Sequence, residues 1–213
     1  MPNISEFQDV KLQAEAKLFD AQRYVEELKA THIKRELDQY NAKAEENRVF
    51  TIYGPINYDT VAHCMYEMDS WSRRYPGEDM TLVLNSPGGS LSDGFALVDF
   101  LRELQGRGHS LTIKAFGWAA SMGGIILQVA DRRVLGKNSF IMLHELQAGM
   151  AEQRLAEIED ATKLIRRFQD KALDILSARS VWTKRQIKTK WQRKDCWLDA
   201  DEALKAGFID EIL

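Results

Sequence analysis

At 213 residues, 45% hydrophobic and 29% charged, the chain has the size and composition of one globular domain with a core of its own and room for an appendage. A formal net charge of −3 argues against the basic face of a nucleic-acid binder, and the two cysteines, Cys64 and Cys196, lie too far apart to read as a metal-ligand pair or a disulfide framework. The N-terminus has charges every few residues and no apolar signal core, and no run reaches ~18 apolar residues, so the expectation is a cytoplasmic protein without a membrane span.

Residues 1–47 are rich in Glu, Lys, Gln and Ala, with no glycine and no proline after Pro2. Leu18, Ala21, Val25 and Leu28, then Ile33, Leu37, Tyr40 and Ala44 after a phase slip, predict a long amphipathic helix with a break near Thr31-His32. It is either a free arm or a surface for a sister subunit or another protein. The main domain, 48–213, opens with a strand over Val49–Tyr53. A helix over Asp59–Arg74 follows, then a buried strand over Thr81–Asn85, a turn at Ser86–Gly89 and a helix over Ser90–Leu104. A strand at Leu111–Phe116, a helix at Ser121–Val129 and a strand at Ser139–Leu143 complete an alternation that implies an α/β fold with a largely parallel sheet. Leu155, Ile158, Ala161, Ile165, Phe168, Ala172, Ile175 and Leu176 define a second long amphipathic helix, Met150–Ser180, and Thr183 is placed to cap a short one.

Two strand-to-helix junctions have the chemistry of a site. Gly88 and Gly89, in Asn85-Ser-Pro-Gly-Gly89, free the backbone to turn sharply and present unpaired N–H donors to an anion or oxyanion. In Gly117-Trp-Ala-Ala-Ser-Met-Gly-Gly124, small residues flank Ser121, leaving its hydroxyl approachable and the Met122 N–H free to face a reacting carbonyl. The alternative is that Ser121 simply caps the helix after it. A nucleophilic hydroxyl needs a base. Of the four histidines, His32 lies in the charged arm, His63 within a helix and His109 in a polar turn. His144 ends the strand Phe140–Leu143, so in a parallel sheet it emerges at the same carboxyl edge as Ser121 and the glycines. The residue that would orient it is open among Asp131, Asp195, Asp199, Asp201 and Asp210, although Asp131 is expected at the opposite edge.

Four segments together resemble the Clp proteolytic subunits: Ser86-Pro-Gly-Gly-Ser-Leu-Ser-Asp-Gly94, Ala119-Ala-Ser-Met-Gly123, Met142-Leu-His144 and Lys194-Asp-Cys-Trp-Leu198 with its continuation to Asp210. The resemblance covers about residues 48–213. It implies a ClpP/crotonase-like superhelix of ββα units and a serine peptidase of unfolded polypeptides. The catalytic residues would be Ser121, His144 and Asp195, with Gly89 and Met122 N–H groups as the oxyanion hole and Gly88 shaping the turn. It also implies a homo-oligomer of stacked rings joined by Met150–Ser180 as a handle, an AAA+ unfoldase partner, and no metal or cofactor. Two features depart from the family pattern. Glu145-Leu-Gln-Ala-Gly-Met150 stands where the family has a Gln-Pro pair and a glycine-rich strand. The helical arm replaces a short axial loop and suggests the Clp-like maturation proteases of phages. Two rival readings are an acyl-CoA enzyme of the crotonase type, which has no serine nucleophile, and a catalytically idle ring subunit.

Overall fold

The structure, a computed structural model, describes residues 4–146 and 154–213. It divides into two compact units, one ending at Asn47 and one running from Arg48 to Leu213. The first is a single helix, α1 (Ile4–Asn47), and the break expected near Thr31-His32 is absent. With no glycine or proline to interrupt it, local pairs carry the backbone through: Thr31 Oγ1 donates to the Glu27 carbonyl at 2.8 Å, and His32 Nε2 faces Glu36 at 3.4 Å one turn on.

The second unit confirms the α/β expectation. Its strands are β1 (Val49–Tyr53), β2 (Met80–Ser86), β3 (Leu111–Ala120), β4 (Arg132–Leu135), β5 (Phe140–Leu143), β6 (Cys196–Leu198) and β7 (Glu211–Ile212). The helices are α2 (Tyr58–Arg74), α3 (Leu91–Gly106), α4 (Met122–Leu127), α5 (Leu155–Ser177), α6 (Lys184–Trp191) and α7 (Ala200–Lys205). The sheet runs β1-β2-β3-β4-β7, with β5 on β3 and β6 on β5; every pair is parallel except β5–β6. The sequence explains these elements locally. Along β2, Met80, Leu82, Leu84 and Ser86 are buried while Thr81, Val83 and Asn85 are half-buried, the period of two that sets one strand face on the core. On α2, Val61, Cys64, Met68 and Trp71 recur at helical spacing and are buried, and Asn57 starts the helix through a capping box with Thr60. Thr183 caps α6 as expected. Of the expected helix Met150–Ser180, residues 150–153 lie outside the described residues; α5 covers the rest to Ser177.

Strand β3 is longer than its sequence pattern indicates, and that length builds the site. Residues 112–115 pair with β4, and residues 118–120 pair with β5 on the same edge. Because β2, β3 and β5 run parallel, their carboxyl ends reach one sheet edge together, with Ser86 beside Ala119 and Ala120 beside Met142.

Strand β4 was not evident in the sequence, because Arg133 puts a charge at a core position. Its guanidinium is buried and pairs with Asp210 at 2.6 Å, while also donating to Gln128 Oε1 at 2.7 Å and the Gly207 carbonyl at 2.8 Å. Arg179 adds a second cation to Asp210. Partial burial pushes the Asp210 carboxyl up, but the hydrogen bonds from Arg133 outweigh it and hold the group below its ordinary value. A carboxyl depressed in the folded state contributes stability above its unfolded pKa of about 4, and that contribution is lost as pH falls through the folded value. Asp210→Asn should therefore cost about 3 kcal/mol near neutral pH by leaving Arg133 buried without its counter-ion. Urea unfolding at about pH 7 and about pH 3 checks this: the gap between wild type and variant shrinks at the acid end.

Candidate active site

Ser121 stands between β3 and α4 with φ 54° and ψ −117°, a left-handed backbone that a non-glycine residue adopts only at a cost. Its N–H donates to the Met142 carbonyl at 2.8 Å, fixing the turn against the end of β5. Its side chain makes no capping hydrogen bond to α4. Instead, Oγ lies 2.6 Å from His144 Nε2. His144, half-buried, follows directly on β5, so the parallel pairing of β3 with β5 is what brings the two together. With Oγ–H donating, a neutral His144 accepts at Nε2 and carries its proton on Nδ1.

Asp195 lies one step beyond the last paired residues of the β5–β6 ladder. Leu143 pairs with Cys196, and His144 and Asp195 are the next residues beyond that last pair. Both line a depression of about 360 Å³ with Glu145, Leu146, Trp191, Arg193 and Lys194. Asp195 is exposed, and no hydrogen bond joins it to His144 Nδ1. The other aspartates are engaged elsewhere. Asp131 accepts the Leu111 N–H at 2.7 Å at the start of β3, the opposite edge; Asp199 caps α7; Asp201 lies in the first turn of α7; Asp210 neutralises Arg133.

The two glycines meet Ser121 from β2. The Ile56 N–H donates to the Gly88 carbonyl and the Ser90 N–H to the Ile56 carbonyl, each at 2.8 Å. That bridge turns the polar groups of Gly88 and Ser90 toward Ile56 and, by strand alternation, those of Gly89 toward β3. Among the described residues the Gly89 N–H has no acceptor. The Met122 N–H opens α4 and has no intrahelical acceptor. Gly88 cannot be replaced without moving Ser121: a Cβ there would lie 2.6 Å from Ser121 Cβ and 3.1 Å from Met122 N. Gly94, the closing glycine of the Ser86–Gly94 segment, plays a related part, since a Cβ on it would lie 2.2 Å from the Met122 side chain. The Met142 carbonyl was also missed. Its only signal was its place two residues before the histidine.

A second serine–histidine contact shows what the first has in addition. Ser72 Oγ lies 2.8 Å from His109 Nε2, and His109 Nδ1 donates to the Glu78 carbonyl at 2.8 Å. Both side chains are buried, so this pair is a satisfied polar contact that no substrate reaches. His63 and His32 face solvent beside Glu67 and Glu36. The nearest sulfur nucleophile, Cys196, is held as a thiol, because burial pushes its pKa up despite Lys190 and Lys194.

The sequence model of the Clp protease family matches residues 8–213, which takes in most of α1 as well as the second unit. An ATP-dependent Clp protease proteolytic subunit 2 of Tropheryma whipplei is 34% identical over 139 residues, covering 64% of this chain and 74% of the relative. An ATP-dependent Clp protease proteolytic subunit of Streptococcus mutans is 30% identical over 171 residues, covering 79% of this chain and 85% of the relative.

Proposed function

The chain belongs to the Clp protease family, and on that premise we propose that residues 48–213 form a serine endopeptidase in which Ser121 is the nucleophile, His144 the general base and Asp195 the residue that orients His144. The observation that carries this reading is the 2.6 Å contact between Ser121 Oγ and His144 Nε2, at the edge where the Gly89 and Met122 N–H groups have no acceptor among the described residues.

In the mechanism, Oγ attacks a peptide carbonyl carbon while its proton passes to His144 Nε2. The carbonyl π pair moves to oxygen, and the oxyanion is held by the Gly89 and Met122 N–H groups, with Gly88 letting the loop approach. Collapse returns that pair, breaks the C–N bond and hands the proton from His144 to the departing amine. Water then attacks the acyl-enzyme with His144 again as base, releasing the acid and restoring Oγ–H. No step calls on a metal or cofactor. The substrate class is unfolded polypeptide. The assembly is a homo-oligomer of stacked rings with α5 as the handle, fed in the cytoplasm by an AAA+ unfoldase; what supports this is the kinship with subunits named ATP-dependent. Phage maturation proteases offer the precedent for α1 as a scaffold-like arm. Among the described residues no helix is long and apolar enough to cross a membrane.

A fluorophosphonate probe tests the nucleophile: Ser121 is labelled, labelling weakens in His144→Ala, and the modified peptide is located by mass spectrometry. An assembled oligomer that takes no label would overturn the reading. A second reading, an idle ring subunit, is favoured by one observation, the missing hydrogen bond from His144 Nδ1 to Asp195. The probe separates the two, since an idle serine takes no label, and Asp195→Asn tests the third residue. If Asp195 orients the base, kcat falls on the order of 10⁴-fold, because the amide favours the wrong imidazole tautomer. An unchanged kcat would remove Asp195 from the mechanism.

A further inference from the structure

The stretch from Lys184 to Lys194 contains Lys184, Arg185, Lys188, Lys190, Arg193 and Lys194 and no acidic residue, in a chain whose net charge is −3. Three of these cations are engaged within the fold. Lys184 pairs with Asp174, Lys188 reaches Asp170 at 3.4 Å, and Lys190 lies 4.2 Å over the Trp182 ring. Arg185, Arg193 and Lys194 are exposed and have no partner among the described residues. They surround two adjoining depressions. One, of about 400 Å³, is lined by Glu145, Lys184, Arg185, Lys188, Thr189 and Gln192. The other is the depression that holds His144 and Asp195, with Arg193 and Lys194 on its rim. Glu145, the residue after His144, belongs to both, so the basic surface begins one residue from the proposed general base.

We propose that this surface selects substrates with acidic residues flanking the scissile bond, Arg185, Arg193 and Lys194 being the specificity-determining cations. The inference rests on the peptidase reading only for what is cut; the charge preference stands on the surface itself. A chain lying across Ser121 and His144 continues past Glu145, where three unpaired cations outnumber the carboxylates of Glu145 and Asp195. The arginines present forked donors that match a carboxylate. Such exposed pairs act singly by modest amounts, and three together give a preference of about tenfold at low salt that fades as salt screens it. A nucleic acid is the weaker occupant, because the surface adjoins the proposed catalytic groups and the chain as a whole is acidic.

The test uses the full-length Ser121→Ala protein and fluorescein-labelled peptides of one sequence with Asp, Ser or Lys at the flanking positions, read by anisotropy. The expected result is binding about tenfold tighter for the Asp peptide than for the Ser peptide, a ratio that approaches one at high salt. In Arg185→Glu/Lys194→Glu the order reverses to favour the Lys peptide, an outcome that a misfolded protein cannot produce. Equal binding of the three peptides, or an Asp preference that survives the charge reversal, overturns the proposal. Displacement of the Asp peptide by a DNA oligonucleotide at lower concentration than by unlabelled peptide overturns the choice of occupant. The same peptides given to protein with Ser121 intact separate the two readings. Charge-dependent binding without cleavage leaves this surface standing and removes the peptidase; cleavage indifferent to charge does the reverse.

Discussion

Ser121→Ala is expected to abolish peptide hydrolysis, with kcat falling on the order of 10⁴-fold to 10⁶-fold, the range over which a serine protease loses its acyl-enzyme route. What remains is turnover from the oxyanion donors and substrate binding alone. The chain still folds, because the Ser121 N–H bond to Met142 belongs to the backbone and no cap is lost from α4. Two measurements on one sample check this: steady-state cleavage of an unstructured fluorogenic peptide and a thermal unfolding scan. A near-wild-type kcat with an intact fold would mean that another group is the nucleophile. Because Ser72–His109 is buried, no second dyad stands ready to replace it.

Gly89→Ala is expected to lower both turnover and stability. The residue has φ +151°, and a Cβ there would lie 2.1 Å from the Ile56 carbonyl oxygen, a backbone atom that cannot swing away. Relief requires parting the Ile56 bridge that aims the Gly89 N–H, so the proposed oxyanion hole loses a donor and the loop loses its anchor. The expected loss is about 10²–10³ in kcat for the donor, with about 2 kcal/mol of stability for the strained bridge. Gly106→Ala is the matched control, since no neighbour lies within 4 Å of a Cβ there and the residue is the last of α3. It should leave the unfolding free energy within about 0.5 kcal/mol of wild type. If Gly89→Ala behaves like this control, the Gly89 N–H does not stabilise the transition state.

Much of this arrangement could be read in advance because a few local rules fix it. Alternating strands and helices imply parallel pairing, and parallel pairing sends Ser121 and His144 to one edge whatever the loop details. The third residue was different. Spacing left five aspartates open, the family resemblance pointed to Asp195, and β6, a three-residue strand whose ladder with β5 ends at Leu143 and Cys196, puts it next after that pair. Strand β4 escaped notice because Arg132-Arg133-Val-Leu135 has no period-two alternation, and the partner that makes Arg133 tolerable is 77 residues away. The supposed break in α1 came from a slip in apolar phase. Helix continuity, however, is decided by backbone hydrogen bonds and pairs one turn apart, which Thr31 and His32 make without difficulty.

The left-handed backbone at Ser121 has an evolutionary consequence. Only glycine adopts that conformation freely, whereas any side chain held there costs about 1–2 kcal/mol. A library of this chain screened for heat resistance alone would therefore enrich Ser121→Gly, rewarding the variant that has lost the proposed nucleophile. Keeping serine at this position requires continual selection for turnover, and a lineage released from that selection would drift toward sturdier, silent copies.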